Sequence, residues 1–81
     1  MSYDVLRFIG RRVKDNAEFS FNYISHTGKF SNRRVKATCL WYGKTEFHPD
    51  DQWLMDGVDM DKLEVRSFAV RDMSIPDEVL R

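Results

Sequence analysis

Four segments with the residue pattern of β-strands, joined in pairs by short turns, constrain the fold more than any other feature. In the first segment, aromatic and polar side chains alternate, which places Phe19, Phe21 and Tyr23 on one face. A turn with Gly28 joins the first two segments and an acidic turn joins the last two, so the pattern predicts two β-hairpins. The predicted strands are residues 17–25, 30–42, 52–58 and 63–70.

An amphipathic helix is predicted before the first strand. Val5, Ile9 and Val13 are spaced by four residues and form one apolar stripe with Leu6. A chain of 81 residues fits one small domain, and two hairpins in such a chain predict a mainly β fold, a small twisted barrel or half-barrel. The expected divisions are an N-terminal helix in residues 1–16, a barrel in residues 17–73 and a C-terminal tail or short helix in residues 74–81.

The second strand is predicted to carry apolar side chains on both faces of the sheet. One face would hold Val35, Ala37, Cys39 and Trp41, and the other would hold Leu40 and Tyr42. The N-terminal helix or a second subunit would cover the additional apolar face. Cys39 is expected to be a buried, unreactive thiol, and a lone cysteine is typical of the reducing cytoplasm.

The net charge is zero, but the two halves of the chain have opposite charge. Residues 1–44 hold nine Lys and Arg against three Asp and Glu, whereas residues 45–81 hold four against ten. This division is typical of a basic binding face opposite an acidic face. It is equally consistent with two halves that interleave in adjacent strands and neutralise each other, so both interpretations stay open.

Few residues favour catalysis or metal binding. Cys39 lies on a strand, and His26 and His48 lie in a turn and a loop without the spacing of a metal site. The glycines are isolated, so the chain lacks a glycine-rich phosphate loop. We therefore expect no enzyme and no cofactor. No apolar run approaches the roughly 20 residues of a membrane helix, and a cytoplasmic protein without a membrane partner is expected.

Arginines beside an aromatic strand favour a binding function. Arg33 and Arg34 begin the second strand, next to the aromatic face of the first. Guanidinium groups bind phosphate and aromatic rings stack on bases, so this composition is typical of proteins that bind nucleotides or single-stranded nucleic acid. Alternatively, the rings form the core and the arginines protect a strand edge. Arg66 lies among apolar residues, where it needs an ion-pair partner, solvent or an anionic ligand.

The segment from about Phe19 to Met73 resembles the WYL domain of bacterial transcriptional regulators. Phe21-Asn22-Tyr23 matches the family's first strand motif, and Gly28 with Arg33-Arg34-Val35 matches the second. Trp53-Leu54-Met55 stands at the position of the Trp-Tyr-Leu motif, with leucine in place of tyrosine, and Arg66-Ser67-Phe68 matches an Arg-x-Phe motif.

The resemblance implies an SH3-like or Sm-like β-barrel that senses a ligand. It also implies a basic-aromatic pocket for a nucleotide or single-stranded nucleic acid and a role in transcription regulation. Residues 1–16 are too few for the helix-turn-helix domain of the regulators, so a stand-alone module is expected. The positions that match the family's ligand-binding residues are Tyr23, Arg33, Arg34, Trp53 and Arg66.

The alternative is a protein–protein interaction or homodimerisation module with no small ligand. The divided charge and the two apolar sheet faces favour it. The surroundings of Arg66 distinguish the two functions. A tight ion pair with Glu64, Asp56 or Asp72 would make Arg66 structural. Convergence of Arg66, Arg33 and Arg34 on a concave surface, with all three unpaired, would make a ligand site.

Overall fold

A helix and a five-stranded antiparallel sheet make up the computed structural model, which describes residues 3–80. The predicted mainly β fold with an N-terminal helix is confirmed. The elements are α1 (Tyr3–Asp15), β1 (Glu18–Ile24), β2 (Phe30–Gly43), β3 (Gln52–Asp59), β4 (Glu64–Ala69), a 3-10 helix (Val70–Asp72), β5 (Met73–Ser74) and α2 (Asp77–Leu80). None of the helices within residues 3–80 is long and apolar enough to cross a membrane. Residues 1 and 2 of the predicted helical segment and residue 81 of the predicted C-terminal tail lie outside the described part of the chain.

The two predicted hairpins are present, and local chemistry explains their turns. Between β1 and β2, Gly28 adopts a φ of 82°, which glycine reaches without steric cost. Its N–H donates to the carbonyl of Ser25 at 2.8 Å, and the Ser25 N–H donates to the carbonyl of Lys29 at 2.9 Å. Between β3 and β4, Leu63 takes the left-handed conformation with a φ of 54°.

The sheet has the strand order β4-β3-β2-β1-β5, so β4 and β5 lie at opposite edges. Only the 3-10 helix separates Ala69, the end of β4, from Met73, the start of β5. Such a connection spans at most roughly 14 Å, whereas the edges of a flat five-stranded sheet lie roughly 19 Å apart. The sheet must therefore be curved. Within residues 3–80 no ladder pairs β4 with β5, so the hydrogen bonding of the sheet is open and does not close a barrel.

Aromatic residues from the sheet and α1 form the core. Phe19, Phe21 and Tyr23 are buried, so these rings belong to the core, as one of the two interpretations predicted. Phe68 of β4 packs against Phe21 and Tyr23 with ring centroids 5.3 and 5.1 Å apart. From α1, Phe8 meets Phe19 at 5.1 Å.

The predicted faces of β2 are wrong beyond Ala37. The register with β3 shifts between Ala37 and Cys39, which is a β-bulge. An extra residue in one strand reverses the alternation that follows it. Leu40 therefore lies opposite Met55 and packs against the core, and Cys39 is exposed rather than buried.

Candidate ligand-binding site

A cavity of about 280 Å³ lies between the β1–β2 turn, the β2–β3 loop and β4. Cations and aromatic rings dominate its lining, and its described lining residues include no carboxylate. We call this cavity the basic-aromatic pocket. Its lining residues are Tyr23, Ser25, His26, Thr27, Lys29, Arg33, Phe47, His48, Arg66, Ser67 and Phe68.

Arg66 is the most accessible arginine of the pocket. It lies on β4 opposite Gly57, so no cross-strand side chain confines it. Its side chain is 41% exposed, and its Nη1 lies 3.6 Å from Oε2 of Glu64, which is also exposed. A solvent-exposed ion pair at this distance contributes roughly 0–1 kcal/mol. The guanidinium can therefore exchange this partner for an anionic ligand at low cost.

Arg33 lines the same pocket but is held by the β3–β4 hairpin. Its side chain is 15% exposed, its Nη1 donates to Oδ2 of Asp59 at 2.9 Å, and its Nε donates to Oγ of Ser31 at 2.9 Å. Oδ1 of Asp59 accepts the backbone N–H groups of Asp61 and Lys62 at 3.0 and 3.2 Å. Arg33 is thus held at a fixed position by a charged partner.

Hydrogen bonds determine the charge state of Asp59. Burial alone would raise the pKa of this carboxyl, but the backbone N–H of Lys62, the guanidinium of Arg33 and the backbone N–H of Asp61 together hold the pKa below its ordinary value. Asp59 is therefore a carboxylate at neutral pH and neutralises much of the charge of Arg33.

Tyr23 forms the buried floor of the pocket. It is 4% exposed, and its hydroxyl accepts the N–H of Ala69 at 2.8 Å. Burial raises the pKa of Tyr23 although the Ala69 hydrogen bond lowers it, so the hydroxyl stays protonated at neutral pH. The same oxygen lies 3.5 Å from Nε2 of His48. Tyr23 therefore acts as a structural cross-link, and its ring is not open for stacking.

His48 anchors the β2–β3 loop beneath the pocket. Burial lowers its pKa, with Asp72 opposing the shift and His26 and Arg71 adding to it, so the imidazole is neutral at neutral pH. Its two ring nitrogens lie close to hydroxyl groups: Nε2 is 3.5 Å from the Tyr23 oxygen and Nδ1 is 3.4 Å from Oγ1 of Thr45.

An aromatic pair that the sequence did not indicate forms the rim of the pocket. The imidazole of His26, in the β1–β2 turn, stacks on the ring of Phe47, in the β2–β3 loop, with centroids 4.7 Å apart and an interplanar angle of 28°. Phe47 is 56% exposed. The only local signal was an apolar ring in a polar loop, and such loops often carry binding residues.

The structure brings three of the five predicted site residues together. Tyr23, Arg33 and Arg66 line the basic-aromatic pocket. Arg34 does not line it, and its Nη2 lies 3.6 Å from Oδ1 of Asp61 in an exposed pair. Trp53 packs against the core and against Tyr42, at a centroid distance of 5.4 Å.

No group of three or more His, Cys, Asp or Glu side chains within residues 3–80 is arranged to hold a metal ion. The side chains that converge on the pocket are cationic, aromatic and hydroxylic, so the arrangement suits an anion that carries a planar group. No model of a protein family matches the chain, and no curated protein matches its sequence.

Proposed function

We propose that the chain is a binding module that takes a nucleotide or a single-stranded nucleic acid in the basic-aromatic pocket. The observation that carries this proposal is the positive charge of the side chains that line the pocket. Lys29, Arg33 and Arg66 line the cavity together with no described carboxylate, although the chain as a whole has thirteen acidic and thirteen basic residues.

Two other cavities, unlike the basic-aromatic pocket, have carboxylates in their lining. A cavity of about 340 Å³ beside α1 and α2 is lined by Asp4 and Asp15 as well as arginines. A smaller one of about 180 Å³ beside the β3–β4 hairpin is lined by Asp59 and Asp61 as well as Lys29, Arg33 and Lys62. Carboxylates repel phosphate, so the basic-aromatic pocket is the best of the three for an anionic ligand.

The proposal extends to the finer description of the fold and to a regulatory role. An SH3-like or Sm-like barrel of the WYL-domain type is supported by the curved sheet, in which β5 pairs with β1 directly after the 3-10 helix. It is also supported by the position of Arg66-Ser67-Phe68 on the pocket wall. A cytoplasmic sensor of nucleotides or single strands is the role that this combination favours.

Two matched arginine variants test the anion site. Binding of short single-stranded DNA and RNA and of mononucleotides is measured at about 50 mM salt, where phosphate contacts are strongest. Arg66→Ala should weaken binding about 10-fold or more, because a hydrogen bond to a charged group contributes roughly 1.5–3 kcal/mol. Arg34→Ala removes an exposed arginine outside the pocket and should leave affinity within about two-fold. Equal losses in both variants, or no binding by the wild type, would refute the proposal.

A second candidate function is homodimerisation along β4. Leu63, in the β3–β4 turn, and Val65, on β4, are exposed large apolar residues, and no described strand pairs with the outer edge of β4. An unpaired edge with apolar side chains favours association with another chain. Sedimentation of the wild type and of Val65→Lys tests it: a dimer that Val65→Lys dissociates supports this function, and a monomer at high concentration excludes it.

A further inference from the structure

The stacked rings of His26 and Phe47 form an aromatic ledge at the rim of the basic-aromatic pocket. The His26 ring covers one face of Phe47, yet Phe47 is 56% exposed. Its exposed surface therefore lies on the opposite face and the edges. A phenylalanine in this position buries little apolar surface and contributes little to folding.

Phe47 of the aromatic ledge lies within a hydrogen-bonded turn. The neighbouring His48 is buried, and its N–H donates to Oγ1 of Thr45 at 3.0 Å. The N–H of Thr45 in turn donates to the carbonyl of His48 at 2.9 Å. A short turn thus fixes the backbone on both sides of Phe47. A loop whose backbone is held before binding loses less conformational entropy when a ligand stacks on its side chain.

The aromatic ledge lies on the same cavity as the two accessible cations. Arg66 and Lys29 line the pocket whose rim Phe47 and His26 form. The cavity volume of about 280 Å³ is close to the lower end of small-molecule sites, which span roughly 300–1,000 Å³. One planar ring and one phosphate fit a site of this size and composition.

We propose that the aromatic ledge is a base-stacking subsite, so that the pocket binds one nucleotide unit with its base on Phe47 and its phosphate on Arg66 and Lys29. This inference rests on the proposed anion site and specifies its ligand. A free mononucleotide and one unit of a single strand share this chemistry. A sugar phosphate or inorganic phosphate has the charge without the base and lacks the contact with the aromatic ledge.

Three probes distinguish the contribution of the base to binding from that of the phosphate. Calorimetric titration with adenosine monophosphate, ribose 5-phosphate and a short oligoadenylate is carried out at about 50 mM salt. The wild type should bind adenosine monophosphate about 10-fold tighter than ribose 5-phosphate, which is the effect expected of one stacked base. Phe47→Ala should reduce the affinity for the nucleotide to that for ribose 5-phosphate and leave the sugar phosphate unaffected.

Matched variants exclude indirect effects. Phe30→Ala removes another exposed phenylalanine, 65% exposed on β2 and not part of the pocket lining, and should change neither affinity. Phe47→Tyr keeps a flat ring and should retain the preference for the nucleotide. Circular dichroism of each variant confirms that the fold is intact.

Each outcome distinguishes the subsite from the anion site. Equal binding of nucleotide and sugar phosphate by the wild type, with no effect of Phe47→Ala, would overturn the stacking subsite and leave the anion site standing. Failure of all three probes to bind would overturn the anion site itself. Binding of adenosine monophosphate with Phe47-dependent affinity supports a free nucleotide, and Phe47-dependent binding of the oligoadenylate alone supports a single strand.

Discussion

Gly57 is the residue at which the core leaves no room for a side chain. A Cβ there would lie against Cγ1 of the buried Val35 and 2.7 Å from the carbonyl oxygen of Lys36. We expect Gly57→Ala to lower the free energy of unfolding by about 1–3 kcal/mol, which is typical of overpacking. Because Arg66 lies opposite Gly57, the displaced strands should also weaken ligand binding. Urea denaturation measures the loss of stability, and titration with adenosine monophosphate measures the loss of affinity.

Gly10 provides the matched control for this substitution. It lies inside α1, and a Cβ there would meet nothing within 4 Å. Gly10→Ala should therefore raise the free energy of unfolding by up to about 1 kcal/mol, because alanine restricts the unfolded chain and favours helix. If both variants had the same stability, the close contact at Gly57 would not be the cause.

His48 should make stability depend on pH in a defined window. Burial holds its pKa below the ordinary value of 6.5, so the unfolded chain binds the proton more tightly than the folded chain. Stability is therefore highest above about pH 6.5 and falls as the pH drops from there through the folded pKa. The contribution of Asp59 is lost only below its ordinary pKa of 3.8, in a separate window.

A titration and one variant check this expectation. Urea denaturation at several pH values between about 7.5 and 5 should show the loss of stability in the wild type and a smaller loss in His48→Gln, which cannot take up a proton. The NMR titration of the imidazole gives the pKa of His48 directly. A measured pKa above 6.5 would contradict the sign of the effect.

At the scale of elements, Asp59 organises the β3–β4 hairpin. One carboxylate oxygen accepts two backbone N–H groups of the turn, and the other accepts the guanidinium of Arg33. We expect Asp59→Asn to lower the free energy of unfolding by roughly 3 kcal/mol, because it leaves the largely buried Arg33 without a counter-charge. Urea denaturation at pH 7 measures the loss.

The ion pair between Asp61 and Arg34 tests whether burial explains the large loss of stability expected for Asp59→Asn. Asp61 faces Arg34, and both side chains are exposed. Asp61→Asn should therefore cost under about 1 kcal/mol. Similar losses for the two variants would show that the hairpin depends on its total charge rather than on the buried pair.

At the scale of the molecule, ion pairs join the oppositely charged halves of the sequence. Arg33 and Arg34 come from the basic half, and their partners Asp59 and Asp61 come from the acidic half. The pairing of β2 with β3 brings these residues together. At this hairpin the two halves of the chain therefore neutralise each other.

The strands were predictable from the sequence, whereas the shape of the site was not. Alternating side chains define β1 and most of β2 because one face of each is buried. The bulge before Cys39 depends on cross-strand contacts, and the two residues of β5 are too few to show a period. His26 and Phe47 were missed because sheet curvature, which has no local pattern, brings the turn and the loop together.

One hydroxyl ties the two ends of the curved sheet together. Tyr23 lies on β1, beside the edge formed by β5, and its oxygen accepts the N–H of Ala69, where the opposite edge strand β4 ends. This hydrogen bond links β1 to the end of β4 on the side of the sheet where no described strand pairs with β4. It also fixes the end of the strand that carries Arg66. We expect Tyr23→Phe to lower the free energy of unfolding by about 1–3 kcal/mol, because the buried Ala69 N–H loses its acceptor.

The effect of Tyr23→Phe should be local to this connection. Hydrogen exchange of the Ala69 amide should become faster than in the wild type, and urea denaturation should show the loss of stability. Tyr42→Phe removes a hydroxyl from an exposed ring on β2 and should change stability by no more than about 0.5 kcal/mol. If the Ala69 amide stayed equally protected in Tyr23→Phe, packing of Phe68 against Phe21 and Tyr23, rather than the hydroxyl, would hold the two edges of the sheet together.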